Sequence, residues 1–518
     1  MHRAFVSAVL WAAALGMVPS PATASQFVLR TGSDTVTVER FTRTAGRVEG
    51  TLLFRAVGMR IEYALTLAPD GTVREARTSA RRREGQAPEQ VAELSFAGDS
   101  VLATLSPGGV QHFATTRGAL PYLNPSMVMI EQAVRRALVL GGHAATVDLF
   151  MVAGARTFPC HVSHLTPDSM LAELGGVEMR LAVNRAGDVT GGIIPVQHLE
   201  IVRSERDDAA LGTPRPDYGA PPDAPYRALE AHVPTAGGYE LVGTLTLPKA
   251  ARGPVPCVVT ITGSGLEDRD EALPMVPGYR PFRQLADALG RRGVATLRLD
   301  DRGFGDSGGD PSRASSADFA DDVRAALAWL RARPDVDGRR LGLLGHSEGG
   351  LIAPLVASTD SLLRALVLIS APARTGRRVL EAQNRYRVEH DSGLSAAGRD
   401  SLVQEAMRNV DSLAAGSPWL RFFLDHDPLA VVPRVHAAVL IVQGETDRQV
   451  EAAQADELAA ALRAAGNREV TERRLPGLDH LLLPDPSGDP QGYPRLKVRQ
   501  IPADVVGSIA DWTAAHLR

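Results

Sequence analysis

The chain has 518 residues, 44% of them hydrophobic and 22% charged, with a formal charge of −4. That length accommodates two or more globular domains, and the weak acidic balance leaves no electrostatic footprint for nucleic acid. Of the 56 basic residues only Lys249 and Lys497 are lysines, and neither sits in a motif, which argues against a serine–lysine dyad.

In chain order, Met1-His2-Arg3, the apolar run Ala4 to Val18 and Pro19-Ser20-Pro21-Ala22-Thr23-Ala24 form the three regions of a secretory signal over residues 1–24, with cleavage expected after Ala24. The apolar run is short for a bilayer span, and no cysteine follows it to accept a lipid. The expectation is an exported protein, periplasmic or secreted, with no stable membrane span after processing; an uncleaved anchor is the alternative.

Residues 25–203 read as a β-rich domain. Polar and apolar residues alternate in Thr35-Val36-Thr37-Val38-Glu39-Arg40-Phe41, in Leu52-Leu53-Phe54-Arg55-Ala56-Val57 and in Arg60 to Leu67, and Pro69-Asp70-Gly71 marks a turn. One helix is expected over Met127 to Leu140, so the pattern suggests a curved antiparallel sheet or partial barrel around a helix. His143, His161 and His164 are scattered and read as surface or turn residues, not metal ligands. The only cysteines, Cys160 and Cys257, fall in different domains and read as buried thiols. Pro214, Pro216, Pro221, Pro222 and Pro225 stiffen a linker assigned to residues 204–225.

The second domain, residues 226–518, begins its chemistry at the β-branched run Val255-Pro256-Cys257-Val258-Val259-Thr260-Ile261, which suits a buried parallel strand. It ends in Thr262-Gly263-Ser264-Gly265, a loop able to present bare amides. Gly303-Phe304-Gly305-Asp306-Ser307-Gly308 spells a dinucleotide fingerprint, but a real one opens its helix at once. Here Gly309, Asp310 and Pro311 intervene, and helix signals start only near Ser315-Ser316-Ala317-Asp318. The glycines therefore read as a turn, and no cofactor is expected.

Leu341-Gly342-Leu343-Leu344, then Gly345-His346-Ser347-Glu348-Gly349-Gly350, then Leu351-Ile352-Ala353 read strand, sharp turn, helix, the layout of a nucleophile elbow at Ser347. After the strand Ala365 to Ile369, residues 373–427 form a helical insertion placed to act as a lid. Trp419, Phe422, Phe423 and Leu424 in it either line an acyl pocket or pack the lid on the core. Ala438 to Gly444 is a strand running into Glu445-Thr446-Asp447, and Val470 to Leu475 is a strand followed by Pro476-Gly477-Leu478-Asp479-His480. A serine hydroxyl is a weak nucleophile at neutral pH, an imidazole can take its proton, and a carboxylate can hold the imidazole's tautomer. Ser347, His480 and Asp447 are the candidates for these roles; Glu445 is the rival acid, read as a turn residue. The amides of Glu348 and of Ser264 or Gly265 are the candidate oxyanion donors.

From about Tyr226 onward the chain resembles an α/β-hydrolase of the serine esterase kind. More narrowly, Gly263-Ser264-Gly265 with Asp268-Arg269-Asp270, Pro281-Phe282-Arg283 and Asp300 to Gly308 is similar to bacterial carboxylesterases in which a Gly-Ser-Gly loop replaces a His-Gly turn; here Thr262 stands in the histidine's place. The resemblance implies an α/β fold with a mostly parallel sheet flanked by helices and a lid. It implies a serine carboxylesterase acting on small-molecule esters of short to medium acyl chains, without metal or cofactor, and possibly homo-oligomeric. The same triad also serves thioesterases, acyltransferases and peptidases, although no repeat of propeller-blade length precedes the domain, as it does in prolyl-oligopeptidase-like relatives. From another class, a hydrolase fold kept as a non-catalytic binding module is the alternative. The Asp-Arg-Asp segment is expected to pin the oxyanion loop through ion pairs, or else to face water.

Overall fold

The computed structural model describes residues 25–518 apart from 32–33, 55–58, 82–87, 89, 107, 153, 198, 206–216, 274 and 390–394. The expected signal segment, residues 206–216 of the linker and Arg55-Ala56-Val57 lie outside the described residues. The chain divides into two units between Thr213 and Pro214. No helix among the described residues is long and apolar enough to cross a membrane.

The N-terminal unit is one 15-stranded sheet. Strands follow each other as antiparallel neighbours, and the first, Ser25–Thr31, pairs with the last, Leu199–Ser204. At one edge Leu120–Tyr122 runs parallel to Ala144–Met151. The alternation read over Leu52–Val57 belongs to a strand that starts earlier, Arg47–Phe54. The sheet curls until opposite ends meet: the rings of Phe96 and Phe113 lie 5.9 and 6.1 Å from that of Phe150. Its single α-helix among the described residues, Met127–Leu140, is buried on Met127, Val128, Met129, Ile130, Ala133 and Val134. Each such side chain contributes about 1.5–3 kcal/mol through burial, alanines less. His161 bonds Thr146 on the exposed surface, and the His143 and His164 rings lie edge to face.

This helix is also held by charge. Glu39, 1% exposed, accepts from Ser126 Oγ (2.5 Å) and from the amides of Met127 (2.7 Å) and Val128 (3.1 Å), so a strand carboxylate caps the helix N-terminus. Fully buried Glu131 accepts from Arg43, from Arg203 and from the Val189 amide.

In the C-terminal unit, whose elements are numbered separately, β1 (Tyr226–Pro234) and β2 (Glu240–Pro248) form an antiparallel hairpin. They lead to β3 (Val255–Ile261), β4 (Ala295–Leu299), β5 (Val336–His346), β6 (Ala365–Ile369), β7 (Ala438–Gly444) and β8 (Val470–Leu475). The strand order is β1-β2-β4-β3-β5-β6-β7-β8, parallel from β4 onward. Helices α1 (Pro281–Gly290), α2 (Ser316–Arg331), α3 (Glu348–Ala357), α4 (Gly376–Glu389), α5 (Ala396–Ala414), α6 (Pro418–Asp425), α7 (Ala453–Ala464) and α8 (Ala503–His516) follow or flank the strands. Because helices cover the sheet, β6 and β7 are buried along their whole length, which explains their unbroken apolar runs.

Two expectations at the borders are refined. Tyr218 stacks on the Arg269 guanidinium (4.2 Å) and donates to Asp268 (3.0 Å), so the last part of the assigned linker is tied to the C-terminal unit. The glycine-rich stretch after β4 closes on itself through Gly303 N donating to Gly308 O (2.8 Å), and α2 starts only at Ser316, with Asp318 accepting from Ser315 N and Oγ. Among the described residues no α-helix opens directly at those glycines, so the dinucleotide geometry is not built. Cys160 and Cys257 are free and buried.

Burial pushes the Glu39 carboxyl up to about 7, outweighing the hydrogen bonds it accepts. The folded state then binds this proton more tightly than the unfolded chain, and the stability it contributes is present below the ordinary glutamate range and lost as pH rises through about 7. Urea unfolding of the full chain should therefore show the N-terminal unit less stable at pH 8 than at pH 5, and Glu39→Gln should flatten that slope; an unchanged slope counts against this assignment.

Candidate active site

Strand β5 ends at His346 and α3 starts at Glu348, leaving Ser347 alone to turn the chain. It does so at φ 53° and ψ −116°, a backbone region that costs a non-glycine residue about 1–3 kcal/mol. The flanking glycines make this possible. A Cβ on Gly345 would stand 2.1 Å from Gly349 O, and one on Gly349 would stand 2.1 Å from Ile261 O at the end of β3. Strand and helix thus touch backbone to backbone, and Ser347, half-buried among buried neighbours, is carried clear of the sheet.

Asp447 lies in the turn after β7 and His480 in the loop after β8. His480 Nδ1 meets Asp447 Oδ2 at 2.8 Å, with both side chains buried. The same carboxylate accepts from Gln443 Nε2 (2.8 Å) and from the amides of Gln449 (2.8 Å) and Val450 (2.9 Å), so its orientation is fixed by four donors. Glu445 is an exposed turn residue whose amide bonds Leu475 O. Among the described residues Ser347 Oγ makes no hydrogen bond.

What brings the His480 loop to the elbow is His346, which sequence reasoning passed over. Its Nε2 lies 3.0 Å from the His480 carbonyl and its Nδ1 2.8 Å from Glu271 Oε1. Both ring nitrogens face acceptors, so the imidazolium, a donor at both ends, satisfies the site. Burial alone lowers the basicity of this ring, but the Glu271 carboxylate and the His480 carbonyl outweigh it and raise the pKa. Ser370 Oγ adds a second bond to the same carbonyl at 2.9 Å.

The loop after β3 lies against Ser347: a Cβ on Gly263 would stand 3.5 Å from Ser347 Cβ. Gly263 N is already taken by Glu271 Oε1 (2.9 Å), whereas Ser264 and Gly265 are exposed, and among the described residues their amides donate to no protein acceptor. Gly265 holds φ +125°, open to glycine alone in practice. Glu348, first residue of α3, has an amide without an intrahelical partner. Thr262 donates to Asp301 Oδ1 at 2.7 Å and anchors the loop. Behind it Arg269 grips Asp300 through Nε (3.0 Å) and Nη2 (2.7 Å), both residues 2–3% exposed, and Arg298 pairs with Asp270. The Asp-Arg-Asp segment is a buried brace and does not face water.

The Glu348 side chain is the other feature the motif did not announce. It is 3% exposed and accepts from Ser264 Oγ (2.7 Å), Ser316 Oγ (2.6 Å) and Trp419 Nε1 (2.9 and 3.0 Å). Burial raises its pKa against the pull of those donors. Trp419 belongs to α6 of the insertion, stacks on Phe423 at 5.7 Å, and brings the insertion onto the elbow. Phe423 and Leu424 are buried in the main core, and Phe422 stacks on His426 at 4.8 Å. Among the described residues no group of His, Cys, Asp and Glu side chains is placed to hold a metal ion.

The strand order, the positive-φ serine between glycines and the strand-end acid and histidine give the C-terminal unit the α/β-hydrolase fold. The family model of the serine aminopeptidase S33 hydrolases matches residues 278–487. An esterase of Thermotoga maritima, EstD, is 28% identical over 312 residues, 57% of this chain and 69% of that protein. An uncharacterised Mycobacterium tuberculosis protein is 29% identical over 253 residues, 48% of this chain and 70% of its own. Among solved structures, an esterase of Pyrococcus furiosus aligns over 58% of this chain and 94% of its own at 17% identity and a TM-score of 0.40.

The backbone contacts at the elbow make a direct test. Gly349→Ala is expected to cost about 3 kcal/mol or more in urea unfolding of the full chain, because its Cβ meets backbone and not a yielding side chain. Gly253→Ala, whose Cβ meets nothing within 4 Å, should stay within about 1 kcal/mol of the parent.

Proposed function

We propose that the chain is a serine carboxylesterase, hydrolysing small-molecule esters of short to medium acyl chains through an acyl-enzyme. The observation that carries this reading is the buried Asp447–His480 pair at 2.8 Å in the same strand-end cluster as the positive-φ Ser347. Ser347 Oγ attacks the ester carbonyl while His480 Nε2 takes its proton, and Asp447 stabilises the resulting imidazolium. The oxyanion is received by the amides of Glu348 and of Ser264 or Gly265. His480 returns the proton to the departing alkoxide, which leaves as an alcohol. Water, deprotonated by the same imidazole, then attacks the acyl-enzyme and frees the carboxylic acid and Ser347. The relation to EstD supports ester over peptide or thioester, while the matching family model, named for an aminopeptidase, keeps peptide bonds as the second reading. We further infer that residues 1–24 direct export and are removed.

Ser347→Ala should lower kcat on an aryl acetate or butyrate by about 10⁴–10⁶. Residual turnover within tenfold of the parent contradicts the mechanism. Asp447→Asn should cost about 10⁴ and Glu445→Gln less than about threefold, which separates the two acids kinetically. Aryl ester, acyl-CoA and blocked-peptide substrates assayed side by side decide the bond; faster turnover of either of the last two overturns the esterase assignment. No turnover of any of them would favour the binding-module alternative.

A further inference from the structure

One carboxylate gathers donors from three parts of the catalytic unit. Ser264 belongs to the oxyanion loop, Ser316 opens α2, and Trp419 sits in α6 of the insertion; all reach the side chain of Glu348. Ser264 and Ser316 bond different oxygens, and the Trp419 N–H lies within 3.0 Å of both. Glu348 is also the residue whose amide is the candidate oxyanion donor. We propose that Glu348 is a positioning residue that latches the lid to the oxyanion loop, so that a docked Trp419 holds the carboxylate, and through it Ser264, in the geometry that receives the oxyanion. The proposal rests on the serine-esterase reading above.

The physical case is one of shared acceptors. A buried carboxylate left short of a donor rotates toward those that remain, and bonds to a charged acceptor are stronger and more directional than neutral ones. Losing the indole N–H frees the carboxylate to swing about its bonds to Ser264 and Ser316. The loop those bonds steady is otherwise exposed at Ser264, Gly265 and Leu266. Lid docking thereby becomes a condition for a well-formed oxyanion hole, independent of which acyl group is bound. The same indole acting as the wall of an acyl pocket would instead show itself in chain-length preference.

The test uses Trp419→Phe, which keeps an aromatic ring to stack on Phe423 and removes the N–H together with the rest of the five-membered ring. On aryl acetate and butyrate the latch predicts a fall in kcat of about tenfold for both esters with KM within about twofold, the size of a lost bond to a buried charge. In a Ser264→Ala background, which retains the amide but removes the hydroxyl, the same substitution should cost less than about threefold, because both act through one carboxylate. A kcat equal to the parent's, a change confined to KM that grows with acyl length, or an undiminished tenfold loss in the Ser264→Ala background each overturns the latch. Thermal unfolding run on all variants separates these outcomes from loss of fold: a kcat loss matched only by partial unfolding also overturns it. Ser347→Ala is assayed alongside. If it stays active the esterase reading falls and takes the latch with it; if it is dead while Trp419→Phe matches the parent, the latch alone falls.

Discussion

The catalytic unit depends on one steric constraint, the backbone contact between the end of β5 and the start of α3. Gly349 lies so close to Ile261 O, and Gly345 so close to Gly349 O, that neither position admits a Cβ. The chain is left with a single residue in which to reverse, and that residue takes φ 53°. The cost of the conformation is met by the surrounding sheet, whose buried strands hold both ends of the turn. Everything else at the site is arranged around the serine so presented.

Three buried carboxylates with separate tasks surround it. Asp447 orients His480. Glu271 binds His346 and the Gly263 amide, so it draws together the elbow, the loop after β3 and, through His346, the carbonyl of His480. Glu348 reaches the other face of that loop and the lid. In each case the charge is taken out of water and held by hydrogen bonds, an arrangement that fixes geometry more than it adds net stability. The Arg269–Asp300 pair behind the loop follows the same logic. Removing one partner of such a pair leaves an uncompensated buried charge, which is why the brace and the loop it supports stand or fall together.

The elements that carry their signal locally were legible in the sequence. Unbroken apolar runs marked β3, β6 and β7; capping residues at Ser315 and Asp318 marked α2; and the helix expected over Met127 to Leu140 lies at Met127–Leu140. The glycine spacing around Ser347 announced the elbow because steric demand is written in the residues that meet it. The turn after β7 was legible as one containing two carboxylates, and burial separates Asp447 from Glu445. The contacts of His346 with Glu271 and of Glu348 with Trp419 were not legible, since their partners lie 75 and 71 residues away and polar side chains carry no periodicity that points across such distances. The cap of the N-terminal helix by Glu39, on a strand 87 residues before Ser126, was hidden for the same reason. The stacking of Tyr218 on Arg269 was hidden likewise, since the prolines around it signal stiffness and not a partner.

The central claim is that Ser347 is an activated nucleophile, and covalent trapping tests it most directly. Treatment of the folded full chain with a fluorophosphonate, followed by proteolysis and mass spectrometry, should find one phosphonyl adduct, on the peptide containing Ser347, with labelling abolished by His480→Ala. An adduct on another residue, or none in folded protein, would contradict the account.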